Sequence, residues 1–168
     1  MPGLASLTAD MLDEGTATRS AMEIAETLQS IGTSLDTEVG ADAILLGIPA
    51  LVRHAPLALD LLGDMLMHPA FAPPEFDRVR EQRLTRLIQL RDVAGAVADR
   101  AFVQALYGSH PYGHLAVGTE EALASVTRES SAIFYESNFR PDRAAIIIAG
   151  EIDVTAAADE VQRVFGHW

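Results

Sequence analysis

Apolar residues recur at helical spacing along the first stretch of the chain. Pro2 suits the first turn of a helix, where its nitrogen needs no hydrogen to donate. Gly15 suits a left-handed helix end. The pattern therefore predicts an amphipathic core helix between Pro2 and Gly15. Its apolar stripe consists of Leu4, Leu7, Met11 and Leu12.

The next stretch predicts a second helix and a β-hairpin. Ser20 is followed three residues later by Glu23, the spacing of a capping box in which each residue caps the other. Gly32 ends this helix. Two short strands are predicted over Thr33–Val39 and Ala43–Ile48, because apolar and polar residues alternate in the first and a Gly-Ala-Asp turn separates them.

Helical patterns dominate the middle of the chain. One helix is predicted over Leu51–Met67 and is ended by the His-Pro pair that follows. A longer helix begins at Pro74 or Glu75 and reaches Leu106, and Gly95 marks a kink or break in it. The residues predicted to face inward are Leu57, Leu61, Leu62, Met65 and Leu66 in the first helix, and Phe76, Val79, Leu84, Leu87, Ile88 and Leu90 in the second.

The last third of the chain predicts three more helices and one strand. Thr119 and Thr127 are placed to open two helices. The apolar run Ala144–Ala149 predicts a strand at the centre of a sheet, since its residues do not alternate with polar ones. A final helix runs through Val161 and Phe165.

Composition indicates a globular protein and excludes several catalytic mechanisms. Of the 168 residues, 49% are hydrophobic, which is typical of a chain with a core. All 12 basic residues are arginine, so a lysine Schiff base is excluded, and the absence of cysteine excludes disulfides and thiolate chemistry. The net charge of −12 argues against nucleic acid and anionic membranes.

Few side chains are spaced for chemistry. His110 and His114 have the four-residue spacing of helical zinc ligands, but a proline and a glycine lie between them, so a loop pair is favoured over a metal pair. A carboxylate dyad needs a shielded cleft, whereas the acids of the long helix alternate with arginines, which favours surface ion pairs. These acids are Glu75, Asp77 and Glu81. No nucleophile elbow, phosphate loop or dinucleotide motif occurs.

Several longer segments resemble one family. The chain opens with GLASLTADMLDEGT and RSAMEIAETLQSIG. HPAFAPPEFDRVREQRL, YGSHPYG and FYESNFRPDRAAIIIAGEID follow, with VFGHW at the end. In this order they resemble the M16 metallopeptidases, the pitrilysin and mitochondrial-processing-peptidase group. The sequences of the first two segments resemble those typical of the non-catalytic subunits of that family.

The resemblance implies where the zinc chemistry of the family would lie. Active members carry the inverted motif H-x-x-E-H on the first helix, followed by Gly-Thr. Its histidines bind zinc and its glutamate acts as general base. Aligned on the Gly-Thr pair, these positions fall on Ser6, Ala9 and Asp10, and the third-ligand glutamate falls on Thr85 or Arg86. We therefore expect no catalytic residue and no metal ligand in this chain, because Asp10 alone is too few ligands for zinc.

The resemblance also implies the fold. We expect an α/β (α+β) domain of the M16, LuxS/MPP-like metallohydrolase type, with a mixed, mostly antiparallel sheet and helices packed on one face. Residues 1–168 are expected to form a single domain. Family domains begin with strands before the first core helix, and full subunits have two domains, so we expect a fragment lacking both. An open sheet edge would favour dimer contacts.

The resemblance leaves three functions open. The first is a non-catalytic pseudopeptidase subunit that helps a zinc-bearing partner enclose a peptide or protein substrate. The second is a structural or assembly subunit with no role in proteolysis, and the third is an active zinc peptidase with rearranged ligands. We expect a homo- or heterodimer with an M16 subunit, zinc only in an active partner and no cofactor here. We expect no nucleic acid and no membrane span. The sequence does not choose between periplasm and cytoplasm for a bacterial-type soluble protein.

Overall fold

The first helix is shorter than its apolar pattern predicts. The computed structural model describes residues 1–168, and α1 spans Leu4–Asp10. Beyond Asp10 the backbone tightens, since the N–H groups of Met11 and Leu12 bond to carbonyls only three residues back. Both side chains nevertheless stay fully buried. The predicted stripe is therefore confirmed, while the predicted helix end at Gly15 is wrong.

The second helix and the hairpin form at the predicted places, with strands shorter than predicted. Helix α2 spans Ala21–Ser30, and Ser20 and Glu23 form the capping box. Strands β1 (Asp36–Val39) and β2 (Ile44–Gly47) pair antiparallel. The turn is closed by a 2.9 Å hydrogen bond from the N–H of Gly40 to the carbonyl of Ala43.

The middle of the chain forms three helices rather than two. Helix α3 spans Ala55–Met67 after a single 3-10 turn, α4 spans Pro73–Leu90, and α5 spans Ala94–Tyr107. The long helix therefore breaks at residues 91–93, just before Gly95. The side chains of Leu57 and Ile88 were predicted to face inward but are 37% and 53% exposed. Each lies at the margin of its apolar stripe, where the packing of neighbouring helices sets burial.

The helices of the last third have the predicted caps. Helix α6 spans Glu120–Ser125 and α7 spans Arg128–Asn138, with threonine side chains at both N-caps. Helix α8 spans Val154–Phe165 and is capped by Asp153.

The predicted central strand at Ala144–Ala149 is wrong. This segment has no regular secondary structure and no ladder partner, and it is exposed throughout, with Ile147 86% exposed. A strand needs a neighbour to satisfy its N–H and C=O groups, and the two strands of this chain pair only with each other. The apolar run is therefore exposed to solvent instead of lying inside a sheet.

The core is formed by helices from the first part of the chain packing against helices from later parts. Helix α1 packs against α7, α4 and β1, and α3 packs against α8. The fold class is confirmed as mixed α/β, mostly helical with a small antiparallel sheet. The main buried cluster contains Leu7, Met11, Phe71, Phe76, Val79, Leu87, Leu123 and Val126, and a second contains Ile24, Leu28, Leu61 and Met65.

Candidate functional site

The last residue of α1 is bound by an arginine of α4. The Nε of Arg83 donates a 2.9 Å hydrogen bond to Oδ2 of Asp10, and its Nη2 donates to the same oxygen. Burial raises the pKa of the Asp10 carboxyl, while the charge and hydrogen bonds of Arg83 act to lower it. The position aligned with the second histidine is thus an acid held by a guanidinium.

The two preceding motif positions are sealed inside the fold. The hydroxyl of Ser6 donates a 2.5 Å hydrogen bond to the carbonyl of Ala116. Ser6 is 3% exposed and Ala9 is fully buried. The segment that follows Ala116 approaches the start of α1 closely at Gly118: a Cβ on Gly118 would lie 2.7 Å from the Cα of Gly3. These two motif positions therefore do not reach the solvent.

The position aligned with the third ligand lies on the long helix α4. Arg86 lines the same cleft as Asp10 and Arg83. Thr85 is absent from that lining and faces a surface concavity on α4, which Arg86 also borders and which no hydrophobic residue lines. Of the two alternatives left by the sequence, Arg86 is the one that lies beside α1. Its side chain is a guanidinium and not a carboxylate.

These residues do not fit a zinc ion. Zinc in proteins takes about three nitrogen, sulfur or carboxylate ligands. Here Ser6 has one hydroxyl that is already hydrogen-bonded, Ala9 has no donor atom, and Asp10 is bound by Arg83. Arg86 would repel a cation. The chain brings no three His, Asp or Glu side chains together in a metal-binding arrangement.

The motif end of α1 opens into a cleft of about 510 Å³. Helices α1 and α4 form two sides of the cleft. Thr37 of β1 and Leu35, which immediately precedes β1, form a third side. Polar and charged groups predominate, but an apolar wall is present. The lining residues are Asp10, Asp13, Glu14, Leu35, Thr37, Val79, Gln82, Arg83, Arg86 and Val117.

The three acids of the cleft differ in how they are neutralised. Asp10 is paired with Arg83, and Glu14 is paired with Arg78. Asp13 has no ion pair. Burial and then the neighbouring charge of Glu14 raise the pKa of Asp13 from 3.8 to about 6, and Asp10 adds to this. A hydrogen bond from the backbone N–H of Asp13 and the charge of Arg78 act to lower the pKa.

A separate polar cluster fixes the loop that follows α1. Asp64 on α3 accepts hydrogen bonds from the hydroxyls of Thr16 and Thr18 at 2.8 and 3.0 Å, and it also pairs with Arg19. Burial acts to raise the pKa of Asp64, but these hydrogen bonds outweigh it and lower the pKa below the usual value. This cluster holds the Gly-Thr segment in place, and none of its four residues lines the cleft.

The remaining candidates occupy structural positions. The Nδ1 of His110 accepts a hydrogen bond from the N–H of Tyr112 at 3.2 Å, and its ring packs edge-on against the ring of Tyr112. His110 and His114 lie on either side of a 3-10 turn, so the predicted loop is confirmed. The acids of the long helix form the predicted surface ion pairs at two positions: Glu75 pairs with Arg78, and Asp77 with Arg80.

Two residues of the cleft, Arg83 and Asp13, were not predicted from the sequence as site residues. Arg83 lies four residues after the buried Val79 and four before the buried Leu87, so it occupies the inward face of α4. An arginine within an apolar stripe requires a partner, and this was the available signal. Asp13 carries no such signal, because its unpaired state depends on which neighbours the fold provides.

Comparison with known families identifies the class of domain. A family model described as insulinase (peptidase family M16) matches residues 1–120. Since the match covers well over half of the chain, the protein belongs to the M16 peptidase family. This confirms the resemblance drawn from the sequence.

Individual relatives agree with the family and are longer than this chain. The chain is 30% identical over 166 residues to the uncharacterised zinc protease YmxG of Bacillus subtilis (strain 168), and the match covers 99% of this chain and 40% of that protein. A peptidase M16 inactive domain from Pseudomonas fluorescens matches with a TM-score of 0.73 at 26% identity, over 80% of this chain and 33% of the other.

A third comparison supports the fold alone. The crystal structure of a protease from Helicobacter pylori matches with a TM-score of 0.94 at 15% identity, over 99% of this chain and 40% of the other. The chain thus spans two fifths or less of the length of these relatives. Its expected status as a fragment stays a prediction. None of its eight helices combines the length and apolar character needed to cross a bilayer.

Proposed function

We propose that this chain is a non-catalytic M16 domain that binds peptide along β1 and helps a zinc-bearing M16 subunit to enclose it. The observation that carries the proposal is the ion pair between Asp10 and Arg83 beside an open cleft. A guanidinium occupies the region where an active member would hold a cation. The cleft next to it stays accessible.

The loss of catalysis is supported by chemistry at each motif position. Water activation in this family requires a metal and a general base. Ala9 offers no base, and the Ser6 hydroxyl already donates to Ala116. A relative of known structure is likewise an inactive M16 domain. We expect the purified chain to hold no stoichiometric zinc, which elemental analysis after mild chelation tests.

Peptide binding is supported by the free outer edge of β1. In an antiparallel ladder, hydrogen-bonded pairs alternate with unbonded ones. Gly40 and Ala43 form a bonded pair, so Glu38 and Asp36 point their backbone groups toward β2, and Thr37 points its own outward. No backbone hydrogen bond outside the ladder involves β1. An extended peptide can therefore add as a third strand at the mouth of the cleft.

A proline substitution on β1 tests this binding mode. Thr37→Pro removes the outward N–H while leaving the ladder with β2 intact, since proline is tolerated at an outward edge position. Thr37→Val keeps that N–H and serves as the matched control. We expect a capped seven-residue peptide of alternating threonine and valine, with norleucine at its centre, to bind the unmodified chain and Thr37→Val. Binding to Thr37→Pro should be at least tenfold weaker. Equal binding to both variants would overturn the strand-addition mode.

The partner is tested by pull-down. An M16 subunit with an intact H-x-x-E-H motif should be retained by this chain. The competing candidate is an assembly subunit without a role in proteolysis. It is favoured by α5, which buries no residue and exposes Val97, Phe102 and Leu106 by 50–66%. Stable association with partners that lack the motif, together with no peptide binding, would support that candidate.

A further inference from the structure

The cleft beside β1 contains one carboxylate that its own arginines leave unpaired. Asp10 and Glu14 each have a guanidinium partner, whereas Asp13 has none. Asp13 is also partly buried, so water solvates its charge incompletely. An ionised group that is neither paired nor fully hydrated favours the arrival of an opposite charge.

We propose that this cleft accepts a lysine or arginine side chain of the bound peptide, with the carboxylate of Asp13 as its partner. The inference rests on the proposed function, because it assumes that a peptide lies along β1. It adds the chemical class of side chain that the peptide presents to the cleft.

The walls of the cleft suit both ends of such a side chain. Lysine and arginine combine an apolar stem of three or four methylene groups with a cationic head. Leu35, Val79 and Val117 provide the apolar lining, and Asp13 provides the anion. The volume of about 510 Å³ is large enough to hold one extended side chain and water.

The local charges favour a cation over an anion at Asp13. Its strongest charged neighbours are two further acids, Glu14 and Asp10, and together with burial they raise its pKa to about 6. Arg86 forms no ion pair and also lines the cleft, so it is the group that would attract an acidic side chain instead. Arg86 is exposed to solvent, which weakens its attraction. The test below therefore includes a glutamate.

The experiment varies one residue in the host peptide. Capped seven-residue peptides of alternating threonine and valine carry lysine, norleucine or glutamate at the centre. Norleucine keeps the lysine stem and lacks the ammonium group. Titration calorimetry at pH 7.5, where Asp13 is ionised, measures the dissociation constant of each peptide for the unmodified chain, Asp13→Asn and Asp159→Asn. Asp159 lies exposed on α8, so Asp159→Asn makes the same charge change away from the cleft.

The expected result is a lysine peptide that binds about tenfold tighter than the norleucine peptide, as a charge-assisted hydrogen bond to a partly buried carboxylate provides. Asp13→Asn should reduce this preference to twofold or less without weakening norleucine binding. Asp159→Asn should retain it.

Three results would overturn the inference. They are equal binding of lysine and norleucine, tighter binding of glutamate, and a lysine preference that survives in Asp13→Asn. In each of these cases the proposed function stands, because the norleucine peptide still binds. Failure of every peptide to bind would remove the proposed function as well.

Discussion

Asp10 on α1 and Arg83 on α4 lie 73 positions apart in the chain and form an ion pair at the rim of the cleft. Their side chains are 35% and 15% exposed, so water shields the pair only in part. The pair joins the two helices that carry the motif positions of the family. The ion pair neutralises the charge of Arg83, which lies on the inward face of α4.

Loss of Arg83 should destabilise the fold. In Arg83→Leu the partly buried carboxylate of Asp10 loses its partner, so we expect the free energy of unfolding to fall by about 1–3 kcal/mol. The additional change Asp10→Leu should recover part of this loss, because it removes the unpaired charge. Urea unfolding of both variants measures the effect. Arg128→Gln is the control, since its exposed pair with Glu129 should contribute less than about 1 kcal/mol. Equal losses at Arg83 and Arg128 would contradict a stabilising role for the cleft pair.

Asp13 should make stability depend on pH. The pKa of Asp13 rises from 3.8 to about 6 on folding. Between these values the folded chain keeps a proton that the unfolded chain releases, so the contribution of this group to stability is complete below pH 3.8 and is lost as pH rises through about 6.

The side chain in Asp13→Asn stays neutral at every pH, so the stability of this variant should not fall as pH rises through about 6. Above pH 6 the variant should be more stable than the unmodified chain by up to about 3 kcal/mol, and below pH 4 the two should be equal. Thermal or urea unfolding from pH 4 to 8 checks this. Asp159→Asn should show no comparable trend, and a pH-independent difference for Asp13→Asn would contradict the pKa assignment.

Gly118 should tolerate no side chain. Its φ is +85°, and an added Cβ would lie 2.7 Å from the Cα of Gly3 and 2.9 Å from the carbonyl oxygen of Pro2. Gly118→Ala should therefore cost about 1–3 kcal/mol from backbone strain alone, and more from the clash. Gly95→Ala is the matched control: it lies within helix α5 with open space around it, and should be neutral or stabilising by up to about 1 kcal/mol. A resolved loss at Gly95 and none at Gly118 would show that the close approach of Gly118 to Gly3 is misplaced.

Leu7 and Leu28 test the two buried clusters. They are 0% and 6% exposed, so Leu7→Ala and Leu28→Ala should each lower the free energy of unfolding by about 2–5 kcal/mol. Leu45→Ala provides the control, because that side chain is 59% exposed. Urea midpoints give the comparison. Similar midpoints for the three variants would place the core elsewhere.

Rebuilding the metal site should depend on Arg83. Ser6→His, Asp10→His and Arg86→Glu together introduce two histidines and a carboxylate as candidate zinc ligands, and Ala9→Glu adds the second carboxylate, the general base of the motif. With Asp10 gone, Arg83 becomes an unpaired cation next to the metal. We therefore expect zinc to bind this variant at least tenfold more weakly than the same variant with Arg83→Leu added. Zinc titration by competition with a chelator measures both. Equal affinities would mean that Arg83 turns away from the site.

The sequence alone determined the elements whose causes are local. Ser20 and Glu23 formed their capping box because the two side chains lie within one helical turn of each other. The hairpin formed with shorter strands than predicted, since alternation and turn residues specify pairing between neighbours in the chain. The identities of Ser6, Ala9 and Asp10 at the aligned positions were likewise readable from the sequence.

Tertiary structure decided everything that depends on a distant partner. The run Ala144–Ala149 has the composition of a buried strand but lies exposed, because composition supplies no neighbouring strand. Ile88 belongs to the apolar stripe of α4 but is 53% exposed, because no neighbouring element packs over it. The sequence showed Asp10, Arg83 and Asp13 only as charges, and the packing of α1 against α4 decided which carboxylate is paired and which remains free. Burial and pairing are properties of surroundings assembled from residues far apart in the chain, and for that reason local pattern does not specify them.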